Sequence, residues 1–503
     1  MSVDFNTIPA TGVFVPLFYA EMDNSQANTA TSSQPSILLG HALEDSTLPP
    51  NQLTLVSSVS ELKSLVGAGS QLARMAAAYR NIDAAGQLWA IAVPEPDGTA
   101  AAGAIQIGGQ VISAGVISLY IGKTRVQTAV AMGNSTTQIA TSMVAVINAL
   151  EDLPVTATVG SSVGDSVTLT AKHTGLCGNE IPLCVNYYGS AGGERLPDGV
   201  TVTVTAMHGG AGAPDFADAI TSLGDEAGDF ISFPFNDSAS LDAIGQAMND
   251  STGRWAPGRL TFGHVYSAKI DTLADLQSFG ATRNDQHVTL SGFEPMVQTC
   301  ADELAAMSAA RNAVFIRADP ARPTQTGQLN GALPAPVGKR FLKSQQNTLL
   351  NSGIATCNAQ GSNLFIQRAV TTYQKNSYGD ADNSYLDSET LHTSAYVIRD
   401  LQSVVTSKYA RCKLADDGTR YGSGQAIVTP SVIIGDICAR YQALEEAGIV
   451  ENFDLFKQYL KVERDANDSG RVNVLYPPDY INQLRVFAVL NQFRLQYPTQ
   501  ETA

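Results

Sequence analysis

The last thirty residues constrain this chain most. Residues 471–497 read RVNVLYPPDYINQLRVFAVLNQFRLQY. A short alternating run, Val472, Val474 and Tyr476, turns at Pro477–Pro478, and an apolar-rich segment follows from Leu484 to Tyr497. Leu484, Val486, Ala488 and Leu490 share one parity, while Phe487, Val489, Phe493 and Leu495 share the other. A strand that is apolar on both faces expects cover on both faces. At roughly 3.3 Å per residue the segment would span about 46 Å, far beyond a usual strand of about 5 to 6 residues. No ordinary sheet pairs all of that length, and an unblunted edge of this kind aggregates unless another chain pairs with it. Leu484, Phe487 and Ala488 also fit a helical period, so a buried terminal helix is the alternative.

The other terminus has a counterpart. Val13, Val15, Leu17 and Tyr19 alternate with Phe14 and Phe18, and Pro16 interrupts them as in an edge strand. A polar tract, residues 23–36, follows and is too rich in Ser, Thr and Asn to form a core. Together, FNTIPATGVFVPLFYAEMDNSQA at one end and RVNVLYPPDYINQLRVFAVLNQFRL at the other resemble the tail sheath proteins of contractile-tailed bacteriophages, closest to the Mu-like branch. The resemblance covers most of the chain and is strongest at its two ends.

Composition sets the class. The 503 residues suffice for roughly three domains. With 44% hydrophobic and 16% charged residues the chain is globular rather than disordered. A formal charge of -16 argues against a nucleic-acid coat, which needs a basic surface. Residues 341–503 carry 15 basic and 17 acidic groups, so nearly all the negative charge lies before them. A near-neutral end suits packing in a crowded assembly, and an acidic remainder suits solvent. Six irregularly spaced cysteines form no disulfide framework. Cys177 and Cys184, with His173 and His208 near in sequence, lack the C-x2-4-C spacing of a zinc site. The start MSVDFN has no secretory pattern, and no apolar run of about 18 residues predicts a membrane span. A reducing cytoplasm is the expected site of synthesis.

The pattern between the ends predicts a multidomain fold mixing α/β and α+β parts. Residues 1–34 read as an N-terminal arm. Residues 35–97 and 213–317 alternate strand and helix as one split α/β domain, with SILLG and LWAIAV as buried strands and Ser58 and Glu61 as a capping box. Residues 98–212 are mostly short alternating strands with Gly turns and one helix over 136–150, a β domain inserted into the first. Residues 318–340 hold four prolines and few hydrophobes and read as a linker. Residues 341–503 form an α+β C-terminal domain with helices near 388–411, 431–446 and 452–460 and an arm from about 471. The resemblance implies that exchanged terminal strands complete it.

Chemical motifs fail on inspection. Gly122-Lys123-Thr124 evokes a phosphate loop, but Ile117 stands where its first glycine belongs, so it reads as a hairpin turn. Gly210-Ala211-Gly212 and Gly422-Ser423-Gly424 lack their third glycines, Asp215 and Ile427 standing there. Gly164-Asp165-Ser166 is no nucleophile elbow. Asp380, Asp382, Asp387 and Glu389 cluster in an incomplete calcium-loop order and read as a solvated loop entering a helix. No catalytic residue, metal or cofactor is expected.

The resemblance implies a structural subunit that stacks as six-fold rings in a helical tube around an inner tail tube. It implies tube, baseplate and tail-terminator proteins as partners, with no nucleic acid and no membrane insertion. The expected location is the virion, after assembly in the host cytoplasm. The arms would add strands to neighbouring subunits through Val13, Phe14, Val15, Leu17 and Tyr19 and through Leu484, Val486, Phe487, Val489, Phe493 and Leu495. Residues 23–36 and 465–470 would serve as flexible leaders. Contraction would drive the tube through the host envelope. Arg411, Lys413, Lys457, Lys461 and Arg464 are the expected tube contacts, in the domain where the family places that contact. The alternatives are the sheath of a related injection system, another self-assembling virion protein and, last, a soluble α/β enzyme.

Overall fold

A computed structural model describes residues 34–160 and 164–496. Its centre is a nine-stranded sheet. Six neighbouring strands run parallel, in the order Ala355–Gln360, Val288–Phe293, His264–Ile270, Phe230–Ser232, Ser36–Gly40 and Leu88–Ala92. Antiparallel strands close both edges: Thr54–Leu55 at one, Asn363–Arg368 and then Gln328–Leu329 at the other. SILLG is buried along its whole length because helices cover both faces. Leu38 packs with Leu72, Met75 and Tyr79 on one face and with the Ala301–Ala318 helix; Ile37 and Leu39 pack with Leu241, Ile244 and Met248 on the other.

The capping box at the Val59–Val66 helix is half formed. Ser58 Oγ accepts from the Glu61 amide at 3.1 Å, but the Glu61 carboxylate takes its hydrogen bond from Ser57.

Residues 100–208 carry four- and three-stranded antiparallel sheets and the Thr136–Ala149 helix around one shared core. The chain leaves and re-enters at paired backbones: Thr99 and Ala211 exchange two N–H···O bonds of 3.1 Å. Gly122 and Lys123 form the turn between Gly115–Ile121 and Thr124–Val130, with Gly122 at φ +57°. The Lys123 ammonium lies 3.4 Å from Glu303. The turn is thereby docked on the Ala301–Ala318 helix.

Two boundaries move. The stretch 318–340 holds the edge strand Gln328–Leu329 and buries Ala321, Leu329, Ala332 and Ala335, so it is part of the body rather than a linker. Small alanines fill close-packed space without the large apolar side chains that announce a core. Ala355–Gln360 and Asn363–Arg368, read with the C-terminal domain, belong to the nine-stranded sheet.

Beyond them, the helices Ser388–Tyr409, Pro430–Glu446 and Phe453–Tyr459 gather a further core. Tyr441 stacks on Phe456 at 3.7 Å, and Tyr476 packs edge-on against Phe456 at 5.2 Å.

Candidate assembly interface

Lys461–Arg464 and Val472–Leu475 pair as an antiparallel hairpin, Val462 opposite Val474 and Arg464 opposite Val472. The sheet has two strands, so each presents an outer edge with no strand against it among the described residues. KVER is too polar to announce a strand; burial of Val462 on the C-terminal core fixes its register.

The intervening residues 465–470 are a tight turn, not a leader. Asp465 Oδ1 accepts from the amides of Asn467 and Asp468 at 2.8 and 2.9 Å, and its Oδ2 accepts from Asn473 at 2.8 Å. These bonds, the Asn473 side chain first, hold the carboxyl down at about 2. Arg464 Nη2 donates to the Ser469 carbonyl at 2.8 Å, closing the same turn.

Past the hairpin the chain is tied to the body up to residue 485. Glu451 N donates to Asp479 O at 2.9 Å, Ile481 N to Ile449 O at 3.2 Å, and Gln483 Nε2 to Ala321 O at 2.9 Å. Arg485 Nη2 reaches Asp387 and Glu389, each at 3.2 Å.

The character then changes within one residue. Leu484 is 69% exposed, Val486 78%, Phe487 83%, Val489 71%, Leu490 83%, Phe493 77% and Leu495 97%. Residues 484–496 form neither strand nor helix, so neither the long strand nor the terminal helix is present in the single chain. Among the described residues no strand pairs with this segment. The N-terminal arm, with Val13, Phe14, Val15, Leu17 and Tyr19, lies outside the described residues.

The five expected tube contacts divide. Arg411, Lys413, Lys457 and Lys461 are exposed. Arg464 is half-buried and engaged by Ser469 and by Asp416 at 3.2 Å, a contact that sets the loop after residue 411 beside the hairpin. Lys457 and Lys461 flank the junction between the Phe453–Tyr459 helix and the first hairpin strand.

The carboxylate cluster also divides. Asp380 is exposed and Asp382 half-buried, Asp382 accepting from Tyr373 at 2.7 Å. Glu389 is wholly buried and Asp387 is clasped by Arg368, which the sequence reading missed. The available signal was Arg485, a cation at the head of an apolar run.

The His173 neighbourhood is a latch. His173 Nε2 accepts from the Gln71 amide at 2.9 Å, so its Nδ1 carries the proton and donates to Glu95 at 2.6 Å. Burial alone would raise Glu95, but the bonds from His173 and the Thr174 amide bring it to about 2. His208 is exposed on another segment, and no three His, Cys, Asp or Glu side chains gather as metal ligands among the described residues.

Comparison with known proteins gives this geometry a context. Residues 209–372 match the phage tail sheath protein central domain, and residues 380–494 match the phage tail sheath C-terminal domain. A Mu-like prophage FluMu tail sheath protein of Haemophilus influenzae is 39% identical over 502 residues, covering 98% of this chain and 100% of the relative. The chain belongs to the phage tail sheath family. It is a structural sheath subunit of the Mu-like, contractile kind. The matched stretches meet between residues 372 and 380, just after the nine-stranded sheet ends at Arg368. Crystal structures of sheath tail proteins from Desulfitobacterium hafniense and Listeria innocua share 12% identity with the subunit. Their TM-scores are 0.47 and 0.46, over 93% and 89% of this chain and 100% and 95% of theirs.

Proposed function

We propose that the subunit polymerises by strand exchange into a helical sheath around a tail tube, and that its contraction drives the tube through the host envelope. The observation that carries the reading is the run of large apolar side chains, 69 to 97% exposed, that follows a hairpin with two open edges. A neighbour's Leu484–Leu495 segment, with Val13–Tyr19 from another copy, supplies strands to those edges. Burying each large side chain contributes about 1.5 to 3 kcal/mol, and the new ladder satisfies the main-chain groups. Head-to-tail contacts of this sort do not close on themselves and generate a helix.

The arm pairing persists while the bodies rotate, and contraction runs downhill from an assembled state held by a barrier. The acidic first two-thirds lies outward and exchanges its contacts. Arg411, Lys413, Lys457, Lys461 and Arg464 face an acidic tube surface. Baseplate and terminator proteins cap the two ends, and the assembled product is part of the virion.

Electron microscopy of the concentrated protein tests the reading. Striated tubes or stacked six-fold rings are expected, alone or with the cognate tube as template. Discrete particles under both conditions would refute it. A chain ending at residue 483, carrying E389Q so that no buried charge is stranded, is expected to stay soluble, folded and unable to polymerise.

A further inference from the structure

The take-off point of the C-terminal arm is tied to the centre of the molecule by a chain of charges, Glu389 buried and the others half-buried. Arg485, 12% exposed, places one nitrogen, Nη2, 3.2 Å from both Asp387 Oδ1 and Glu389 Oε1. Asp387 is held from the other side by Arg368, whose Nε and Nη2 form two parallel bonds of 2.8 Å. Arg368 ends a strand of the nine-stranded sheet, and Asp387 directly precedes the 22-residue Ser388–Tyr409 helix. That helix terminus favours both carboxylates. Glu389 also accepts from the amide and hydroxyl of Thr324, each at 2.9 Å. One residue further on, Val486 is 78% exposed.

The two arginines grip differently. Arg368 meets Asp387 as a fork, which fixes orientation as well as position. Arg485 meets its two carboxylates through one nitrogen, and its Nε and Nη1 have no hydrogen-bond partner among the described residues. A single-point contact fixes position and leaves direction free.

We propose that Arg485 is the positioning residue of the C-terminal arm. It pins where the arm leaves the body and passes its load through Asp387 and Arg368 into the nine-stranded sheet. The arm swings about this point when the bodies rotate. Without the pin, tension would peel residues 476–484 from the body along a few isolated backbone bonds. The inference rests on the strand-exchange reading above, since an arm that carries no load needs no anchor.

The test compares four full-length chains and one truncation. Arg485→Met alone leaves Glu389 buried without its cation, so R485M/E389Q removes the tie without stranding that charge. The double variant is expected to melt within a few degrees of the parent and to need about tenfold more protein to form tubes. Its tubes should fragment on contraction. E389Q is the control for the body. R485K, which keeps a cation at the contact, is expected to restore assembly to within about threefold of the parent. Parent-like assembly by R485M/E389Q would overturn the proposal, and so would its failure to fold, because the tie would then hold the body rather than the arm. Tube formation by the chain ending at 483 would instead overturn the strand-exchange reading.

Discussion

Arg74 Nη2 lies 2.6 Å from Asp302 Oδ2, and neither side chain is more than 9% exposed. The pair joins the Gln71–Arg80 helix to the first turn of the Ala301–Ala318 helix across one face of the central sheet. A buried carboxylate deprived of its partner costs about 3 to 5 kcal/mol, whereas removing both charges is close to neutral. R74M is therefore expected to lose about that much stability in urea unfolding, and R74M/D302N to recover most of it. Equal losses in both variants would contradict this account of the pair.

Gly69 is expected to resist substitution. Its φ is +76°, and a Cβ there would sit 2.4 Å from Leu153 O and 2.6 Å from Glu151 O, both rigid backbone atoms of the inserted region. G69A combines a left-handed backbone with a clash, for about 2 to 4 kcal/mol. A melting temperature unchanged from the parent would show that the two regions do not pack as described.

His392 makes stability depend on pH. Burial, with the nearby Arg399 charge, pushes its imidazole from 6.5 down to about 3. Its Nε2 lies 3.0 Å from the Tyr266 hydroxyl. The folded state holds the ring neutral, so this contribution is complete above pH 6.5 and is lost as pH falls from 6.5 toward 3. Other groups titrate in the opposite sense, burial raising Glu180 to about 7, so the informative quantity is a difference between variants. Between pH 6.5 and 4.5 the parent is expected to lose up to about 1.4 kcal/mol per pH unit more than H392Q. Urea titrations at two pH values measure this, and parallel pH profiles would contradict it.

Charge reversal separates tube contact from self-assembly. K457E/K461E is expected to form sheaths alone as the parent does but to lose about tenfold in affinity for tail tubes at low salt, with a weaker salt dependence. Unchanged tube affinity would remove Lys457 and Lys461 from the contact.

Much of the body was legible because its signals are strong. Strands such as SILLG and LWAIA are short, mostly apolar runs that suit a sheet covered on both faces. The sheet's far edge was not legible. ATCNAQ and NLFIQR are half polar, and Gln328–Leu329 has two residues, so neighbouring strands rather than local propensity define them. Residues 465–470 illustrate the same limit, since Asp, Asn, Ser and Gly suit a loose leader and a tight turn equally. The two amides and one side chain that meet Asp465 decide between them. At the arm, the sequence marked the apolar run but not its anchor, because Arg485 finds partners 96 and 98 residues away. Such a junction exists only once the fold is made.

Hydrogen exchange over residues 484–496, in dilute subunit and in assembled sheath, tests strand exchange most directly. These amides have no ladder in the single chain, so they are expected to exchange freely in the subunit and at least about a hundredfold more slowly in the sheath. Equal rates in the two states would mean that the arm pairs with no neighbour, and the account of assembly would fall.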